Sequence, residues 1–217
     1  MRERRSCQSH HYALLRIRAL IRLGIPSVCI LEELALSLLG RQLIPNNLQK
    51  RRIIADHAER YNLDTFVETG TWLGDTTYYM RKHCGTICTI ELSPDLASMA
   101  SRRFSKRPNI RVLSGDSSKL LPEVLKSVNH PCLFWLDAHY SGGTTAKGDV
   151  ETPILQELAV ILADPTARHV VLIDDARLFV GKNDYPTIEE LRAWVHRLRP
   201  GTSVSVSEDI ICLLPGQ

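Results

Sequence analysis

The sequence predicts an α/β domain: a mostly parallel, seven-stranded sheet with helices on both faces and an antiparallel hairpin at its end. Three observations carry this. From residue 50 onward, short β-type runs alternate with helix-periodic segments, the signature of parallel strands joined by crossover helices. The first β run enters a glycine turn, "ETGTWLG". The chain then closes in "SVSVSEDIICLLP", two β-type runs joined at Glu208-Asp209 and read as a hairpin.

The elements follow in order. "QKRRIIADHAERYN" is a helix leading into the strand "TFVET". The glycine turn opens a helix over about 75–83, and "GTICTIEL" is the second strand. A helix over about 94–105 precedes the strand "IRVLSG", and "SKLLPEVLKSV" is again helical. "CLFWLDA" is the fourth strand, followed by the polar loop "HYSGGTTAKGDVE" and a helix over about 152–163. "HVVLIDDA" is the fifth strand, with a helix over about 187–198 before the hairpin.

Residues 1–49 form a separate helical arm in this reading, with residues 50–217 as the main domain. The net charge of +3 is unevenly placed: residues 1–50 hold eight Lys/Arg against three Glu, which leaves the remainder slightly acidic. A polyanion-binding core is not suggested. Two amphipathic helices, about 11–23 and 27–39, break at Gly24–Pro26. Their longest apolar run is interrupted by Glu32 and Glu33 and is too short to span a bilayer. The arm suits packing on the core, a lid or a homodimer contact, with peripheral contact to an anionic membrane surface as the alternative. Without an export signal the expected location is cytoplasmic, and the six cysteines read as buried thiols in a reducing compartment.

Ligands of an open parallel sheet gather at the carboxyl ends of its strands. Here all five parallel strands end in carboxylates: Glu68, Glu91, Asp116, Asp137, and the pair Asp174-Asp175. One acidic strand end is ordinary, because Asp and Glu favour turns and helix N-caps. Five are harder to explain that way. A dinucleotide cradle needs G-x-G-x-x-G, whereas this turn keeps only Gly70 and Gly74, with Trp72 between them. A pyrophosphate would also sit poorly beside Glu68. A cofactor bearing an amino group and a sulfonium fits better, and S-adenosylmethionine has both.

"VETGTWLG" resembles motif I of the class I S-adenosylmethionine-dependent methyltransferases, a Rossmann-like fold. It is most similar to the metal-dependent small-molecule O-methyltransferases of the catechol and macrocin types, where an aromatic also replaces the middle glycine. "SGDSS", "WLDAHY" and "LIDD" follow in matching order, so the resemblance covers roughly residues 50–217. It implies that Glu68, Gly70, Thr71, Trp72 and Gly74 line the methionine moiety. Glu91 would bind the ribose hydroxyls, and Asp116 with Ser117 the adenine. For Glu91 and Asp116 the alternative is capping of the helix that follows.

The same resemblance implies a Mg²⁺ site at Asp137, Asp174 and Asp175, with Asp175 where the family keeps an asparagine. Asp137 would then touch cofactor, metal and acceptor alike. The alternative is that Asp137 orients the acceptor while Arg177 neutralises one of the pair. The family's catalytic lysine position holds Tyr140, leaving His139 as the expected base and Lys147 as a second candidate on the same loop. The expected activity is methylation of a small-molecule hydroxyl (a sugar, natural product or phenol). A hydroxylase-like tailoring enzyme of the same fold and a non-catalytic binding module are the alternatives. Nucleic acid is not the expected substrate, since no N/D-P-P-Y/F-type motif follows the fourth strand.

Overall fold

The computed structural model describes residues 46–137, 152–165 and 168–216. Residues 1–45 of the expected arm, His139 and Lys147 therefore lie outside the described residues. From Asn47 onward the chain is one compact unit. Its elements are α1 (Asn47–Arg60), β1 (Thr65–Thr69), α2 (Asp75–Met80), β2 (Thr86–Glu91), α3 (Pro94–Phe104), β3 (Ile110–Ser114), α4 (Ser117–Lys126), β4 (Leu133–Leu136), α5 (Ile154–Ala163), β5 (Val170–Ile173), a 3₁₀ turn (Ala176–Leu178), α6 (Ile188–Leu198), β6 (Ser203–Ser207) and β7 (Ile210–Leu214). The helix expected from about residue 50 starts at Asn47, and α2 ends three residues early at Met80.

The seven strands lie in the order β3-β2-β1-β4-β5-β7-β6. The first five are parallel, while β7 pairs antiparallel with both β5 and β6. Strand order reverses between β1 and β4, so their carboxyl ends flank the switch point where such sheets bind ligands.

Both faces of the sheet are buried: every residue of β1, β4 and β5 is buried, and β4 and β5 read as unbroken apolar runs. Val67, Phe134, Val171 and Ile211 pack with Leu121 and Val124 of α4, Leu158 of α5, and Leu191 and Val195 of α6. Phe66, Leu133, Leu172 and Ile210 pack on the opposite face with Ile54 and Ala58 of α1, Met80, and Phe104 of α3. Two cores thus clamp the sheet.

Local chemistry sets the boundaries. Ser93 caps α3 ahead of Pro94, and Thr187 and Glu190 form a reciprocal capping box on α6. Glu208 and Asp209 have φ of 51° and 58°, the left-handed pair that a tight two-residue hairpin demands. Cys84, Cys88, Cys132 and Cys212 are buried and unpaired with one another. Burial pushes the thiols of Cys84 and Cys132 up to about 12, which keeps them protonated and unreactive.

Candidate cofactor and acceptor site

The turn after β1 is braced from below. The N–H groups of Gly70 and Thr71 both donate to the Ile90 carbonyl, at 2.9 and 3.3 Å, and Gly74 N donates to Thr71 O at 2.7 Å. Gly70, Trp72 and Gly74 all have positive φ, at 84°, 47° and 75°. Gly74 has a packing reason besides: a Cβ there would lie 2.9 Å from the Phe104 ring. Trp72, between the two glycines, takes a left-handed backbone, and its N–H donates to Glu91 Oε2 at 2.7 Å.

That bond organises the end of β2. The other oxygen of Glu91 accepts from Ser93 N at 2.9 Å, so two backbone amides hold a buried carboxylate at the turn. Each oxygen keeps acceptor capacity, because a carboxylate offers about four lone-pair sites. The arrangement can bind a pair of vicinal hydroxyls. The helix-capping alternative for Glu91 is not what the structure shows, since Ser93 caps α3 with its own side chain.

Asp116 differs. Its Oδ1 accepts from Ser118 N at 3.0 Å and Ser118 Oγ at 2.7 Å, and Oδ2 pairs with Lys119 at 3.2 Å. It therefore caps α4, the alternative reading given for it above, and Ser117 is buried in that first turn.

Glu68 points into the protein. Thr77 Oγ1 and Thr89 Oγ1 donate to its Oε2 at 2.5 and 2.6 Å, and Thr71 Oγ1 lies 2.5 Å from Thr89 Oγ1. Because Thr89 gives its proton to Glu68, Thr71 must donate to Thr89, and the chain of hydroxyls runs one way. Burial pushes the Glu68 carboxyl up to about 8; the two threonine bonds oppose this and Asp137 adds to it. In this structure the carboxyl faces inward and braces the turn through the two threonine hydroxyls.

The sign of the linkage is definite. A carboxyl raised from 4.5 contributes stability that is full below pH 4.5 and lost as pH rises through about 8. Glu68→Gln keeps an oxygen to accept from both threonines and removes the charge. It should flatten the fall in melting temperature between pH 6 and 9, an effect on the order of 2–3 kcal/mol over the roughly two pH units below the raised value. An unchanged slope would refute the assignment.

Asp137 closes β4, where its N–H donates to Thr69 O at 3.0 Å. It is the electrostatic centre of the strand ends, raising the carboxyls of Glu68, Glu157 and Asp174 alike. Glu157 was not singled out in the sequence. It is buried in α5 and pushed up to about 7 by that burial. A lone acid in "ILQELAVILA" was the available signal.

At the end of β5 the structure departs from the metal expectation. Lys50 Nζ of α1 donates to Asp174 Oδ1, and to Asp175 Oδ1 at 3.0 Å. Arg177 donates to Asp175 Oδ1 at 2.7 Å and also bonds Asp209 in the hairpin turn. Asp175 itself sits in the left-handed region, with φ of 56°. Burial pulls the Lys50 ammonium down, but the two aspartates more than reverse this, so it stays charged. Among the described residues no group of three or more His, Cys, Asp or Glu gathers as a metal site. The expected Mg²⁺ ligand set at Asp137, Asp174 and Asp175 does not fit this arrangement, because two of its members are already neutralised by cationic side chains. Arg177 does neutralise one of the pair, as the alternative had it.

Solved structures resemble this one over most of its length. The O-methyltransferase TomG from Streptomyces achromogenes, in complex with SAM, is 17% identical with a TM-score of 0.57, covering 81% of this chain and 83% of its own. An O-methyltransferase from Bacillus cereus in complex with SAH is 15% identical with a TM-score of 0.59, covering 88% and 92%. SAH-bound PaMTH1 from Podospora anserina is 14% identical at 0.56, covering 94% and 88%. The chain has the class I S-adenosylmethionine-dependent methyltransferase fold.

The expected architecture for that methyltransferase fold, including the antiparallel terminal hairpin, is thus present. No family model matches the chain. The "Probable ribosomal RNA small subunit methyltransferase A" of Methanosarcina acetivorans is 35% identical over 74 residues, which is 34% of this chain and 28% of that protein. Its Methanosarcina mazei namesake is 34% identical over 80 residues, 36% and 29% of the two chains. This chain spans less than a third of the length of these curated relatives. No described helix of the methyltransferase fold is long and apolar enough to cross a membrane.

Proposed function

We propose that this protein transfers the methyl group of S-adenosylmethionine to an oxygen of a small molecule bearing a hydroxyl group. The observation that carries the reading is the Glu91 carboxylate, held by Trp72 N and Ser93 N at the switch-point turn where two ribose hydroxyls would be read. Sugars, phenols and natural-product hydroxyls all suit the acceptor class. The complexes of TomG and the Bacillus cereus enzyme, which carry SAM and SAH, support the choice of cofactor.

The reaction is an in-line displacement. The acceptor oxygen forms a bond to the methyl carbon, the carbon–sulfur bond breaks, and its electron pair stays on sulfur to leave S-adenosylhomocysteine. The hydroxyl proton goes to a base, and His139 is the residue proposed for it, with Lys147 on the same loop. Asp137 orients the acceptor at the end of β4. Alignment of this kind contributes on the order of 7–11 kcal/mol to such reactions. Mg²⁺ is given no step, because Asp174 and Asp175 are engaged by Lys50 and Arg177.

Calorimetric titration of S-adenosylhomocysteine into the protein tests the reading directly. Saturable one-site binding is the expected result, and its absence would remove the methyltransferase assignment. A nucleic-acid acceptor is the second reading, favoured by the partial likeness to the ribosomal RNA methyltransferases. It would show as RNA affinity that falls steeply with salt.

A further inference from the structure

A lysine in the first turn of a helix has an ordinary place in water, where its charge is hydrated and remote from the positive end of the helix dipole. Lys50 has neither. It is buried in the first turn of α1, 124 residues before the carboxylate that it meets. Burying an ammonium is costly unless opposite charge and hydrogen bonds compensate it. Both are present here, and both come from the strand end where a divalent cation was expected.

The geometry is specific. Oδ1 of Asp174 accepts from Lys50 and from the amide of Asp175, the latter at 2.7 Å. Oδ1 of Asp175 accepts from Lys50 at 3.0 Å and Arg177 at 2.7 Å. Mg²⁺ needs carboxylate oxygens at about 2.0–2.1 Å in near-octahedral array. At these two oxygens it would meet an ammonium already in contact, and would have to displace it or endure a like charge at close range. Arg177 is fixed in turn by Asp209, so the second cation is not available to move aside with the first.

We propose that the Lys50 ammonium stands where metal-dependent members of this fold would hold a divalent cation, so that the β5 end is charge-compensated from within the chain and takes no Mg²⁺. The inference deepens the methyltransferase reading, because it makes that activity independent of divalent metal. Lys50 is a positioning residue in this account: it holds Asp174 and Asp175 and, through them, the field around Asp137.

The test is Mn²⁺ binding, read from the loss of the free-ion electron paramagnetic resonance signal. The wild-type protein should show no saturable binding at metal concentrations up to about 1 mM. Lys50→Ala should gain a site, and Lys50→Ala with Asp174→Asn should lose it again. Stoichiometric binding by the wild-type protein, abolished by Asp174→Asn, would overturn the proposal, as would a folded Lys50→Ala variant that binds no Mn²⁺. Should Lys50→Ala fail to fold, Lys50→Arg and the wild-type titration decide between the same outcomes. S-adenosylhomocysteine binding on the same wild-type sample separates the two claims. Its loss would sink the proposed function and leave the cation assignment standing.

Discussion

Glu91→Ala is expected to weaken S-adenosylhomocysteine about 10²-fold or more. The carboxylate would accept from both ribose hydroxyls, and each charge-assisted bond contributes about 1.5–3 kcal/mol. Two such bonds correspond to at least a hundredfold in affinity, at about 1.4 kcal/mol per tenfold. A second loss compounds this, because the Trp72 and Ser93 amides are left without their acceptor and the turn loses its tie to β2. Glu91→Gln retains one acceptor oxygen and should fall between alanine and wild type. Calorimetry on the three proteins decides. An alanine variant within threefold of wild type would mean that the ribose is read elsewhere.

Asp137→Ala should separate binding from chemistry. Cofactor affinity is expected to change less than threefold, while methyl incorporation from labelled S-adenosylmethionine into a panel of catechols and sugars falls by about 10² or more, the scale of a lost positioning contact. Stability supplies the second readout. Asp137 raises the carboxyls of Glu68, Glu157 and Asp174, so its removal lowers all three. Those groups lose stability as pH rises through their raised values, and the variant should therefore melt higher than wild type near pH 8. A protein that is more stable and less active is what a functional carboxylate at a crowded site predicts. Loss of cofactor binding together with turnover would end the division of roles between Glu91 and Asp137.

How much of this was legible in the sequence depends on the range of the interaction. The glycine turn, the acidic strand ends and the hairpin are local signals, and each stands where the pattern put it. The placement of Glu91 at the turn was legible because its partners, Trp72 and Ser93, belong to the turn and the helix start of the motif. Asp116 could not be resolved that way, since a helix cap and a ligand contact share one sequence pattern; geometry alone gives it to Ser118 and Lys119. The inward turn of Glu68 was not legible, because nothing local says that Thr77 and Thr89 would hold its carboxyl. Lys50 was invisible. In "QKRRIIADHAERYN" it is one of three consecutive basic residues on an amphipathic helix, the usual sign of a solvated face. Only the folded sheet brings it to β5.

The position of β7 has a consequence for the order in which the protein can be made. β7 comes last of the seven strands to leave the ribosome, yet it lies inside the sheet, between β5 and β6. Until it arrives, β5 is a bare edge, and Val171, Leu172 and Ile173 lack their antiparallel partners. The hairpin also brings Asp209, which holds Arg177 against Asp175. A nascent chain thus carries its acidic strand end incomplete until the hairpin has been made. A chain caught before that point presents an adhesive β5 edge and an Arg177 without its Asp209 tether.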